Sequence, residues 1–212
     1  MSEKTKYVPV SMLRDFVRDV FLKAGAPQQD AEVCADVIIA SDLRGIESHG
    51  IGRLKYYYVR IKRGQHQVVT NYEIVKEGPT TAIVDGHHGL GMVIAKKAMQ
   101  LAIDKARAYG MGSVAVRNST HFGIAGYYPM MACQQGMIGY TVTNARPSTS
   151  PTFGTQPILG TNPIAFGAPL WKNFPLFLTE PPPSRSVAKL KCWIGSGKLS
   201  RTRGLWMRKT NR

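Results

Sequence analysis

The sequence predicts a mixed fold, α/β or α+β in class, with a helical N-terminal part. Apolar residues recur at helical spacing up to Gly64. From Tyr72 onward strand-like runs alternate with helical ones, and Gly or Pro marks most changes of period. With 212 residues, 43% hydrophobic and 19% charged, the chain can bury one core, alone or with a small satellite.

The elements follow in order. Ser11 is placed to cap a first helix, in which Leu13, Phe16, Val17, Val20 and Phe21 form one apolar stripe until Gly25 and Pro27. A second helix is expected over about Gln28 to Leu43, with Cys34, Val37 and Ile38 inward and Gly45 closing it. A third follows Gly52, where Leu54, Tyr57, Tyr58 and Ile61 repeat helically until Gly64. Tyr72 to Lys76 and Thr81 to Val84 read as strands joined across Gly78-Pro79. A long helix runs from about Val93 to Tyr109, then a strand from Ser113 to Val116, a helix from Ala125 to Gln135 and a strand from Ile138 to Thr143. Ala145 to Leu170, rich in Pro, Gly, Thr and Ser, is expected to be irregular, and such a stretch in a compact domain is usually functional. The resulting division is a helical domain over 1–75, an incomplete α/β domain for cofactor and substrate over 76–180, and a basic tail over 181–212.

Composition narrows the function classes. Apolar runs fall short of the ~18 residues a membrane span needs, and MSEKTKYVPV has no apolar stretch after its lysines, so a secretory signal is not expected. Cys34, Cys133 and Cys192 are odd in number and far apart, which suits neither a disulfide framework nor a zinc site. A reducing, cytoplasmic setting is expected. The net charge of +15 invites a nucleic-acid reading, but the charge is uneven. Residues 1–180 carry 19 Lys or Arg against 13 acids, whereas residues 181–212 carry nine cations and no acid. A basic arm stacking Trp193 and Trp206 on nucleic acid is the alternative reading, and a solvated or non-native C-terminus is the favoured one.

Thr81 to Asp85, followed by Gly86-His87-His88-Gly89-Leu90-Gly91 and a helix, imitates the opening of a dinucleotide-binding βαβ unit. The imitation fails, because Ile94 stands where the third glycine is needed and no acid ends a second strand. His87 and His88 are then turn residues, and His66 in its polar stretch signals nothing. His49 and His121 differ. His49 lies in a glycine-punctuated turn that runs from Arg44 to Arg53, and His121 lies in a loop between a strand and a helix. An imidazole gives and takes a proton near neutrality, and Arg53 could clamp a carboxylate with two parallel bonds. No metal-binding spacing and no Ser/His/Asp or Cys/His nucleophile pattern is evident, so a metal hydrolase is not expected.

Five segments occur in one order: 41–50 (SDLRGIESHG), 84–86 (VDG), 118–123 (NSTHFG), 143–145 (TNA) and 159–163 (LGTNP). Together they resemble the malate/L-lactate dehydrogenase family that is unrelated to the Rossmann-type enzymes and that includes ureidoglycolate dehydrogenase, sulfolactate dehydrogenase and diketogulonate reductase. The resemblance covers about residues 8 to 178. It implies a non-Rossmann fold of the family's own and an oxidoreductase dependent on NAD or NADP that interconverts a 2-hydroxy acid and its 2-oxo acid. The acid/base matches either His121 or His49, with His121 preferred. Ser48, Arg53 and Tyr57 line the substrate side by the same resemblance. Thr143, Asn144, Gly160, Thr161, Asn162 and Pro163 face the cofactor. No metal, membrane or specific nucleic-acid partner is implied, and members are homodimers joined in part through the first helices.

Members of the family are longer than this chain. After Leu178 they continue through an acidic residue and a run resembling RGKIEV, where this chain has Thr179-Glu180-Pro181-Pro182-Pro183. Read one nucleotide earlier with permissive codons, Thr179 to Trp193 can give DRTATVTVRGKIEVL. A shifted frame over the tail, a missing C-terminal half and weak or absent turnover are therefore expected.

Overall fold

The computed structural model describes residues 7–148 and 150–170, together with the backbone of strands at 174–180, 189–192, 200–202 and 205–207. The chain divides into two compact units, Met1–Ile124 and Ala125–Arg212.

In the first unit, α1 (Val10–Lys23) and α2 (Gln28–Asp42) pack together, followed by two short 3-10 turns, Glu47–His49 and Ile51–Arg53, and α3 (Leu54–Lys62). Helix α1 does not begin at Ser11. Pro9 stands at the N-cap with φ −56°, its carbonyl accepts the Leu13 N–H, and no side chain caps the helix. Proline's fixed φ suits a helix start, so the helix needs no hydroxyl cap. Of the expected stripe, Val17 and Phe21 are buried, whereas Phe16 remains 55% exposed. Helix α2 is the centre of this unit. Ala31, Cys34, Ala35, Val37 and Ile38 are all fully buried, since α1 and α4 (Gly91–Tyr109) both pack on it.

The chain then forms β1 (Glu73–Glu77) and β2 (Thr81–Asp85), an antiparallel hairpin with an irregularity between Ile74 and Lys76. Strand β3 (Ser113–Arg117) lies parallel to β2, and α4 makes the crossover between them. Val84 on β2 and Met92, Val93 and Ile94 on α4 are buried. The expected boundary at residue 75 falls inside this unit, because α4 packs on α2 as well as on the sheet and one core serves both.

In the second unit, α5 (Tyr127–Cys133) packs on β4 (Gly139–Val142) and β5 (Ile164–Leu170). Tyr128, Pro129 and Ala132 supply its buried face. The sheet continues through β6 (Phe174–Glu180), β7 (Lys189–Cys192), β9 (Leu205–Met207) and β8 (Ser200–Thr202) in that spatial order. Its pairs are antiparallel except β7 with β9. Strand β5 occupies the end of the stretch expected to be irregular. Its Ala, Gly and Pro residues have weak strand preference, so pairing with β4 and β6 makes the strand. The expected shifted frame over 181–212 lies outside the described residues, apart from the backbone of β7, β8 and β9. Among the described residues no helix is long and apolar enough to cross a membrane.

Candidate active site

The site is built in the first unit from two turns and one helix face. The first turn follows α2. In the last turn of that helix the Ser41 carbonyl accepts the Ile46 N–H at 2.9 Å, and the Asp42 carboxylate accepts the Ile51 N–H at 2.8 Å. Gly50 lies against that carboxylate, in space that any side chain would need. Between these anchors Ser48 and His49 project, with Ser48 Oγ 2.9 Å from His49 Nδ1. Arg53 donates from Nε to the Ser48 carbonyl at 2.9 Å, which leaves its two terminal nitrogens for other partners.

The second turn carries His121 and hangs on Asp85 at the end of β2. The Asp85 carboxylate accepts the His87 N–H at 2.9 Å, Arg117 Nε at 2.8 Å and Asn118 Nδ2 at 2.9 Å. These bonds, the His87 N–H first, hold the Asp85 carboxyl below the usual carboxylate range. Thr120 ties the loop to α4, accepting the Gly91 N–H at 2.9 Å and donating to the Gly89 carbonyl at 2.8 Å. A Cβ at Gly91 would run into the Thr120 and His121 carbonyls, so a glycine is required there for close approach. The glycine-rich segment before α4 is thus a turn, with His87 and His88 at φ 44° and 57°, and the first N–H of the helix is spent on Thr120. Sequence reading singled out the Val84-Asp85-Gly86 segment but gave Asp85 no role.

Helix α3 brings the two turns together. Tyr57 is 1% exposed, and its Oη lies 2.6 Å from His121 Nδ1. The Gly123 N–H also points at that nitrogen, at 3.2 Å. A backbone N–H can only donate, so in the neutral ring Nδ1 carries the lone pair and Nε2 the proton. Tyr57, expected to line the substrate side, is buried with Leu54, and its hydroxyl meets the imidazole. The rings of His49 and His121 stack with centroids 5.5 Å apart and planes 25° apart, so the two turns do converge.

Sequence reasoning missed two neighbours. Tyr56 sits edge-on to His121 at 5.8 Å, with the Arg53 guanidinium 5.5 Å and the Arg60 guanidinium 4.8 Å from its ring centroid. His66 is only 5% exposed, packs 6.2 Å from Tyr56 and 6.4 Å from Tyr57, and buries Nδ1 without a partner. Its polar neighbours in sequence hid it, because a turn after α3 folds it back onto that helix. Burial first, then Arg53, His49, His66 and Arg60, push His121 down to about 4. Burial and Arg60 push His66 to about 4, and burial and Arg53 lower His49. The result is neutral imidazoles in a positive field, with no carboxylate among the groups acting on His121.

The expected cofactor residues lie in the second unit. Asn162, at φ 35°, accepts the Ala145 N–H on Oδ1 at 2.9 Å, and the Thr143 N–H reaches the Pro163 carbonyl at 3.3 Å. Gly160 lies against the Ala145 carbonyl. The Thr143 hydroxyl donates to the Asn144 carbonyl at 3.2 Å. The Asn162 side chain and the Thr143 backbone therefore join the two segments, the Thr143 hydroxyl is spent within its own segment, and Asn144 is exposed.

The malate/L-lactate dehydrogenase family matches residues 8–179. The malate dehydrogenase of Pyrococcus abyssi is 48% identical over 190 residues, which is 90% of this chain and 52% of that protein. L-sulfolactate dehydrogenase of Methanocaldococcus jannaschii is 51% identical over 141 residues, 66% of this chain and 41% of that one. The solved malate dehydrogenase of Pyrococcus horikoshii superposes with a TM-score of 0.79 at 45% identity, covering 84% of this chain and 53% of its own. The chain spans about half the length of the curated relatives it matches. Its matched residues and its mixed helix and strand fold together show that the chain belongs to the malate/L-lactate dehydrogenase family.

Proposed function

We propose that this protein is an NAD(P)-dependent oxidoreductase that interconverts a 2-hydroxy acid of the malate or lactate kind and its 2-oxo acid. The observation that carries the reading is the cluster in which His121, held by Tyr57, stacks on His49 within the field of Arg53. The relatives' names, malate and sulfolactate dehydrogenase, point to the same class of substrate.

When bound, the nicotinamide supplies or accepts the hydride at the carbon bearing the substrate oxygen. The exposed Asn144 carboxamide and the Thr161 hydroxyl are neutral groups that suit a nicotinamide amide or a ribose. Thr143, Gly160, Asn162 and Pro163 would shape that segment. The first unit handles the acid and the proton. Arg53 offers its terminal nitrogens to the substrate carboxylate, and Ser48 and His49 stand beside it. His121 donates from Nε2 to the substrate oxygen. A carboxylate at Arg53 offsets the positive field that keeps this ring neutral, so the ring gains a proton as the acid binds. Tyr57 then turns its hydroxyl to accept from Nδ1, the long Gly123 N–H contact to that nitrogen is given up, and Nε2 delivers a proton to the oxygen as the 2-oxo acid is reduced. Oxidation runs the same path backwards.

A homodimer joined through the N-terminal helices belongs to this reading. Met12 and Phe16 of α1 stand 60% and 55% exposed. The test is binding of malate, lactate and their oxo acids by calorimetry, with NADH and NADPH oxidation followed in parallel. Turnover by a chain that spans about half the length of its relatives should be weak or absent, and His121→Ala should abolish any that is measured. Full turnover in that variant, or no binding of any 2-hydroxy or 2-oxo acid, would overturn the proposal.

A further inference from the structure

Arg53 and Arg60 are seven residues apart, two turns along one helical face, and both guanidinia approach the ring of Tyr56 between them. Each gains a cation–π contact there, but two like charges held around one ring repel. Among the described residues neither guanidinium pairs with a carboxylate. The third polar group against Tyr56 is His66, buried with Nδ1 unpartnered. A buried polar atom of this kind calls for a partner. Only Arg53 is needed to hold the single carboxylate of the reaction proposed above, so Arg60 has no role in it.

We propose that Arg60, across Tyr56 from Arg53, binds the second anionic group of a dianionic 2-hydroxy or 2-oxo acid and so sets the preference for dianionic over monoanionic substrates. The inference rests on the 2-hydroxy acid reading and deepens it. One guanidinium takes the carboxylate next to the reacting carbon, and the other takes the distal carboxylate or sulfonate, each by parallel charged hydrogen bonds. His66, beside Arg60, adds a polar lining without a competing negative charge.

The experiment measures binding of L-malate and L-lactate by calorimetry to the full 212-residue chain, without cofactor, for the parent, Arg60→Gln and Arg53→Gln. Loss of a charged hydrogen-bond pair corresponds to about a 10- to 100-fold fall in affinity. The parent should bind malate at least about tenfold more tightly than lactate, on the same grounds. Arg60→Gln should remove that difference and leave lactate binding within about twofold, and Arg53→Gln should weaken both acids. Equal binding of the two acids by the parent, or equal loss of both in Arg60→Gln, overturns this inference alone. Binding of neither acid by the parent removes the underlying functional reading with it. Should Arg60→Gln not fold, Arg60→Lys serves, because lysine keeps the charge but not the fork. Its ratio of malate to lactate affinity should fall, and an unchanged ratio overturns the assignment.

Discussion

Tyr57 Oη lies 2.6 Å from Nδ1 of His121, a residue 64 positions later in the chain. Helix α3 and the loop after β3 are thereby locked to each other at the atom that decides which tautomer the imidazole adopts. Tyr57→Phe keeps the buried ring and removes the hydroxyl, so it should cost about 1 kcal/mol of stability by urea denaturation. The same change leaves His121 Nδ1 with the Gly123 N–H as its one remaining donor, which nitrogen-15 spectra of the ring would show as a shifted Nδ1 resonance. An unaltered spectrum and midpoint would mean that the bond does not persist in solution.

Gly91→Ala tests the other support of the same loop. The added methyl meets the Thr120 and His121 backbone, which cannot swing aside as a long side chain would. Overpacking of this kind costs about 1–3 kcal/mol, and the damage should concentrate in residues 118–123. Hydrogen exchange that quickens across the whole unit equally, or nowhere, would contradict the contact.

Stability should fall with acid. His66 and His121 each sit at about 4 in the folded protein against an ordinary 6.5. Between those values the unfolded chain binds more protons than the folded one. Stability is therefore complete above about pH 6.5 and is lost progressively as the pH falls towards 4. At about 1.4 kcal/mol per unit, the buried His66 alone removes about 3 kcal/mol by pH 4. Urea midpoints measured across this range should slope downward with acid, and His66→Gln should flatten the slope. A midpoint independent of pH would show that these rings titrate normally.

Acid binding should also draw in a proton. A carboxylate at Arg53 raises the affinity of His121 for a proton, so binding near neutral pH takes up part of one. Calorimetry in buffers of different ionisation enthalpy measures that uptake, which His121→Gln should abolish. Buffer-independent heats in the parent would remove His121 from the proton step.

Local sequence determined much of the scaffold. The apolar spacing of α1, the close of α3 at Gly64 and the β2–α4–β3 alternation are all properties of short windows. The failed glycine motif was legible for the same reason, since Ile94 at the third position is a local fact. His49 and His121 stood out because each lies in a glycine-bounded turn next to regular structure.

The tertiary structure decided the rest. Nothing near Tyr57 in sequence shows that its hydroxyl meets a loop 64 residues on, and nothing near Asp85 shows that it organises that loop. His66 looked solvated until the turn after α3 folded it against Tyr56 and Tyr57. Strand β5, poor in strand formers, exists because β4 and β6 supply its hydrogen bonds. Periodicity reports which way a residue faces on its own element, whereas a site depends on which elements meet, and long-range packing alone chooses those partners.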